Sequence, residues 1–298
     1  MTEIVTEPVR FASGEEELVG VLHRLAGASD GPAPALVVTG AWMTVKEQMP
    51  TRYAREMAAP GWTALVFDFA GWGASGGLRR QYEDPQRKIA DVQAAVDHLA
   101  ARDDVDARSV GALGICASSG YVVHAADRSD TIRSVALVAP WLHDAEIVEN
   151  IYGGAEAVAV LKSTGDDAAK AYVGGTPCIV PAASLTEDRA VMYKAPYYTE
   201  TDRGLIPTWR NEADLAFWRG WLGFDAIAAA PAFDKPLLMV ESDAAAAPQG
   251  ARKFAAAMDG RAREVWLDDV TQFDFYDQAA AVTRSADEAA EHFADTLT

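Results

Sequence analysis

The sequence predicts an α/β fold, a doubly wound and mostly parallel sheet with a helical lid inserted late in the chain. Short apolar runs without polar alternation recur between stretches of helical spacing, as in strands covered on both faces. One of those runs ends in a sharp turn carrying a nucleophilic side chain, followed at once by a helix. The rhythm then breaks between Trp141 and about Ala230, where Gly, Pro and aromatics replace it.

Taken in order, Val5 to Arg10 and Leu18 to Arg24 read as two antiparallel entrance strands around a turn at Ser13-Gly14. Ala35 to Thr39, Thr63 to Phe67, Ser109 to Ile115 and Ser134 to Val138 read as the parallel core. Helices are expected at Lys46 to Ala58, at Pro85 to Arg102 with Ile89, Val92, Val96 and Leu99 on one face, and directly after Cys116. Leu237 to Val240 and Glu264 to Leu267 supply two more strands, with Pro248 to Met258 a helix between them and Thr283 to Leu297 a closing helix. Residues 1–140 and 231–298 therefore form the core, and 141–230 an insertion. Placed after a core strand, it would lie over the carboxyl ends of the strands, where open α/β sheets bind ligands. Its aromatics, including Tyr193, Tyr197, Tyr198, Trp209, Phe217, Trp218 and Trp221, suit either an apolar ligand or the lid's own small core.

Composition narrows the partners. A chain of 298 residues with 50% hydrophobic content can bury one large core, and its net charge of -18 opposes nucleic acid and anionic membranes. No window reaches the ~20 apolar residues of a membrane helix, and the amino-terminal stretch shows no signal core, so a cytoplasmic location is expected. The two cysteines, Cys116 and Cys178, require no disulfide. Five scattered histidines offer no metal-ligand spacing, and Gly71 to Gly77 lacks the acidic partner of a dinucleotide site. No metal and no organic cofactor is expected. The expected partner is a small-molecule substrate, and a homodimer is compatible with the sequence.

The motif that names a reactive atom is Gly114-Ile115-Cys116-Ala117-Ser118, between the apolar run ending at Ile115 and the helix-like Gly120 to Ala126. Strand, sharp turn and helix make a nucleophile elbow with cysteine at its apex. Together with Thr39 to Gln48, Phe67 to Gly77 and Phe273-Asp274-Phe275-Tyr276-Asp277, this block resembles a bacterial α/β-hydrolase family related to dienelactone hydrolases, over nearly the whole chain. The resemblance implies the α/β-hydrolase fold and a hydrolase-like activity. It also implies a histidine in the loop after the last strand, where this chain carries Gln272, and an aspartate after Val240, where Ala244 to Ala247 stand and Asp243, then Glu241, are the nearest carboxylates.

The candidate site follows from these residues. Cys116 at a helix amino terminus should have a lowered pKa and form a thiolate without a partner. The N–H of Ala117 and that of Ala41 or Trp42 would make an oxyanion hole, with Gly40 permitting a tight turn. Ser118 is a rival nucleophile that the strand register places off the apex, and Asp68 reads as a loop-fixing carboxylate. Gln272 cannot serve as a base, because an amide takes up no proton near neutral pH. Among the histidines, His23, His98 and His292 lie on poorly placed elements, and His124 sits about 12 Å along the helix from Cys116. His143, following Val138-Ala139-Pro140-Trp141 at the carboxyl end of a core strand, is the candidate replacement base, with Asp144 to orient it and Trp141 beside the substrate.

Three functions fit. The first is a cysteine-dependent hydrolase of an ester, thioester or lactone of an apolar or aromatic molecule, completed by His143 or a water held by Gln272. The second is a lyase, cyclase or C–C bond-cleaving enzyme that uses the oxyanion pocket for an enolate. The third is a silent protein that binds a ligand beneath the lid.

Overall fold

The computed structural model describes residues 3–27, 31–172 and 175–297. Strands β1 (Ile4–Ser13) and β2 (Glu16–Leu25) form an antiparallel hairpin closed at Gly14, whose φ of 59° favours a residue without Cβ. The alternation then runs β3 (Ala33–Thr39), α1 (Met49–Ala58), β4 (Thr63–Phe67), α2 (Pro85–Ala100), β5 (Val105–Ile115), α3 (Ser118–Asp127) and β6 (Ile132–Val138). Next come α4 (Ala145–Tyr152), α5 (Ala155–Ala171), β7 (Ile179–Val180), β8 (Ala183–Ser184), β9 (Met192–Tyr193), β10 (Ala213–Asp214) and α6 (Phe217–Gly223). The chain closes with β11 (Leu237–Glu241), α7 (Pro248–Ala257), β12 (Ala262–Trp266), α8 (Asp274–Asp277) and α9 (Ala279–Thr296).

The main sheet has eight strands in the order β1-β2-β4-β3-β5-β6-β11-β12, parallel from β4 onward. Helices α2 and α3 cover one face, and α1 and α9 the other. Every residue of β4 and β11 is buried, as is the run Val110–Ile115 of β5, which explains why these strands read as unbroken apolar runs. The edge strand β12 is partly exposed and mixes charged with apolar residues.

Helix starts follow local chemistry. Asp84 caps α2 by accepting from the N–H groups of Gln86 and Arg87, with Pro85 supplying a preset φ at the first turn. Helix α1 begins at Met49, three residues later than the sequence suggests, because Gln48, at φ -78° and ψ -140°, lies outside the helical region. Val45 donates to Gln48 Oε1 at 3.0 Å, and Lys46 donates to Asp68 Oδ1 at 2.8 Å. These bonds tie the loop of residues 40–48 to itself and to the end of β4.

Between β6 and β11 the insertion holds helices α4, α5 and α6, packed on one another, and two miniature sheets, β10-β7 and β8-β9. Its aromatics pack on the core loop. Trp221 stacks on Trp42 with ring centroids 4.6 Å apart, and Phe217 meets the same indole edge-on at 5.4 Å. A second cluster joins Tyr197, Tyr198 and Trp209 to Phe273 and Tyr276 on the loop and helix after β12. Among the described residues no helix is long and apolar enough to cross a membrane.

Candidate active site

Strand β5 ends at Ile115, and the next residue, Cys116, takes φ of 57° before α3 begins. A non-glycine residue in the left-handed region is strained, and sites of chemistry are where such strain concentrates. The turn is held on both sides: the Cys116 N–H donates to Val138 O, and its carbonyl accepts from the N–H groups of Ser119 and Trp141, each at 3.0 Å. Gly114 allows α3 to descend this closely, since a Cβ there would lie 2.9 Å from both Ser118 O and Ser119 Cα. Gly40 serves the same purpose, because an added Cβ would meet Pro50 Cγ and Thr44 Oγ1 at 2.6 Å. Its role is close packing.

Cys116 lines a cavity of about 380 Å³. The walls are Trp42 and Ala117 from the core, Trp141, Ile151, Tyr152, Val191 to Ala195, Tyr198 and Trp221 from the insertion, and Ala246, Gln272, Phe273 and Tyr276 from the loops after β11 and β12. Only Lys194 among these carries a formal charge, so the cavity suits an apolar or aromatic body.

The electrostatics of the sulfur differ from the sequence expectation. Burial pushes the Cys116 thiol up to about 11, while the Tyr276 hydroxyl and the N–H groups of Ala117 and Trp42 pull it back only in part. Desolvation outweighs the helix terminus, so Cys116 rests as the thiol, not as a self-supporting thiolate. Trp42 and Ala117 line the cavity with Cys116, and theirs are the N–H groups that lower its pKa. Ala41 is buried beneath them, its carbonyl accepting from Thr44 Oγ1 at 2.7 Å. Ser118 donates its hydroxyl to Gly40 O and is committed there.

Gln272 holds the middle of the site. Its Nε2 donates to Ala139 O at 3.1 Å and to the Tyr276 hydroxyl at 3.0 Å, while Oε1 accepts from the Ala246 N–H at 3.0 Å. The amide thereby links three loops and fixes the phenol that faces the sulfur. Tyr276, Tyr198 and Tyr152 all have pKa values raised by burial, so they remain protonated donors.

The expected base and acid do not assemble. His143 is buried away from the cavity with both ring nitrogens engaged. Trp141 Nε1 donates to its Nδ1 at 3.0 Å, and its Nε2 donates to Trp221 O at 3.0 Å. Burial lowers its pKa to about 4, so it is a neutral brace with no lone pair for a thiol proton. Asp144 caps α4 and pairs with Lys253 at 2.7 Å instead of orienting that ring. Asp243 is exposed and pairs with Arg252 at 2.6 Å, far from service as a triad acid. Glu241, at the end of β11, is 1% exposed, and burial raises its pKa to about 8. Asp68 keeps its expected structural part, accepting from Lys46 Nζ at 2.6 Å and from two backbone N–H groups. Sequence reasoning missed Tyr276 and Tyr152 as members of the site. Tyr276 lay within a motif that was singled out as a block, whereas nothing in the sequence marks Tyr152.

A family model described as serine aminopeptidase, S33 (Hydrolase_4) matches residues 43–269. The chain belongs to this S33 hydrolase family. The uncharacterized protein YcjY of Escherichia coli is 27% identical to this S33 member over 278 residues, covering 88% of this chain and 89% of that protein. A thiohydrolase of Aspergillus aculeatus, aneE, is 31% identical over 114 residues, which span 38% of this chain and 35% of that protein. The crystal structure of hypothetical protein PA2218 from Pseudomonas aeruginosa superposes with a TM-score of 0.85 at 23% identity, over 99% of this chain and 94% of that one. The last likeness establishes the α/β-hydrolase fold alone.

Proposed function

We propose that this chain is an acyl-transferring enzyme of the S33 family that accepts a thioester, ester or lactone of an apolar or aromatic small molecule on Cys116. The carrying observation is the strained Cys116 at the apex of the elbow, lining the apolar cavity together with Trp42 and Ala117, whose N–H groups lower the thiol pKa. Those donors are where an oxyanion develops during attack. The 141–230 insertion acts as the lid that excludes water and supplies the aromatic walls.

The acid–base deficit selects the substrate. As the Sγ–C bond forms and the bond to the leaving group breaks, the thiol proton passes to the leaving atom, relayed by Tyr276. With a thiol near 11 and no base beside it among the described residues, this exchange favours leaving groups of low pKa, and so thioesters and aryl esters over alkyl esters. Release of the acyl group to water lacks a general base, which typically costs ~10²–10⁴-fold. The first turnover should therefore outrun the rest. A chromogenic aryl thioester should give a burst of one equivalent per chain and an acyl adduct on Cys116, both lost in Cys116→Ala. Absence of burst and adduct in the wild-type chain overturns the reading, and tight binding without turnover would indicate a silent binding protein.

A non-hydrolytic reaction is the second reading. It is favoured by the base-free ring of protonated phenols, which suits an enolate formed in elimination, cyclisation or C–C cleavage. Turnover of a carbonyl compound that survives Cys116→Ser and fails in Tyr276→Phe would select it.

A further inference from the structure

Glu83 lies in the turn before α2, 0% exposed, and its carboxylate is saturated by donors from separate parts of the fold. Oε2 accepts from the Met43 N–H at 3.2 Å and from Lys88 Nζ at 2.8 Å, while Oε1 accepts from the Tyr121 hydroxyl at 2.7 Å. Lys88 is equally buried, its ammonium lying 4.6 Å from the Phe69 ring centroid and 4.9 Å from that of Trp72. A buried ion pair is weak evidence for stability, because apolar side chains of similar volume generally do as well. What the carboxylate fixes is geometry.

Trp42 and Ala117, which line the cavity with Cys116, sit on different elements. Trp42 precedes Met43, whose φ of 58° is strained and whose carbonyl is tied to Trp209 Nε1 of the insertion at 2.7 Å. Ala117 opens α3, and Tyr121 lies on that helix one turn further on. Glu83 grips Met43 with one oxygen and Tyr121 with the other. We infer that Glu83 is a positioning residue that sets the separation of the Trp42 and Ala117 N–H groups, and that Trp209 couples this pair to the lid. The inference rests on the acyl-transfer reading for its catalytic meaning and on the thiol environment for its test.

The deciding variant is Glu83→Leu with Lys88→Met, which removes the acceptor without leaving an unpaired buried charge. Loss of one aligned donor to the sulfur should slow the burst phase about tenfold with KM unchanged, and slow alkylation of Cys116 by iodoacetamide about tenfold at each pH below the thiol pKa, a one-unit rise in that pKa. Glu83→Gln with Lys88→Met restores an acceptor for Met43 and should recover most of both rates. If the apolar pair does not fold, Tyr121→Phe, which removes one hydroxyl, should slow alkylation about threefold. A purely structural role would loosen the loop and speed alkylation. The inference is overturned if the folded apolar pair keeps alkylation within twofold of wild type, or if the glutamine variant recovers nothing. Should the thioester give no burst even in wild type, the acyl-transfer reading fails, and the alkylation series still decides the part played by Glu83.

Discussion

Replacing Gln272 by histidine tests the chemistry of the site most directly. At pH 7 a thiol with a pKa of about 11 is ionised in only about one molecule in 10⁴. The Gln272 amide stands 3.0 Å from the Tyr276 hydroxyl that faces the sulfur, so an imidazole there reaches the acylated thiol directly or through one water. A positioned base contributes ~10²–10⁴-fold, and the lower end applies here because Asp243 is held outward by Arg252 and cannot orient the ring. Gln272→His should therefore raise the steady rate after the burst about 10²-fold, with a new pH limb near the ordinary histidine range. An imidazole can keep two of the three hydrogen bonds that the amide makes, so stability should fall by about 1 kcal/mol. The assay is burst and steady-state release from an aryl thioester between pH 5 and 9. A folded variant whose steady rate and pH profile match wild type would refute the argument that the missing base limits release.

Other consequences are equally open to measurement. Alkylation of Cys116, read by peptide mass spectrometry, should climb tenfold per pH unit from pH 7 towards 11, and a plateau below pH 9 would contradict the burial that raises its pKa. His143→Leu strips Trp141 Nε1 of its acceptor and Trp221 O of its donor, so melting should report a loss of roughly 2–3 kcal/mol while burst amplitude is retained. A lost burst in folded protein would return His143 to the chemistry. Glu241 is raised from 4.5 to about 8, so the unfolded chain ionises first and this residue withdraws stability as pH climbs through that window, by roughly 5 kcal/mol at the limit. Glu241→Gln should flatten the decline between pH 4.5 and 8, and an unchanged slope would show that the carboxyl is ionised in the native state.

The sheet was legible because its strands are buried on both sides. Thr63–Phe67 is apolar throughout in sequence and fully covered in the fold, and its bounds are those read from the residues. The reading slipped at the start of α1, where the non-helical backbone of Gln48 and the bond from the Lys46 N–H to Asp68 hold residues before Met49 as a loop, a tertiary contact that local spacing does not display. The elbow was legible from its glycines and its place between strand and helix. The protonation state of Cys116 was not, since a local motif displays the helix terminus while desolvation depends on walls contributed by residues up to Tyr276. His143 shows the same limit. Its position after β6 is compatible with catalysis, and only the folded contacts of Trp141 and Trp221 consume both nitrogens. Glu83 and Lys88 carry no sequence signal for burial, because charged residues at the head of a helix ordinarily face water.

The sheltered state of Cys116 has a further effect, on durability. Peroxides attack the ionised form of sulfur, and a cysteine enzyme that keeps a standing thiolate is exposed to sulfinic and sulfonic damage between turnovers. Here burial among aromatic rings holds Cys116 as the thiol, so on the proposed reading the atom that would take the acyl group carries no standing charge for a peroxide to find between turnovers.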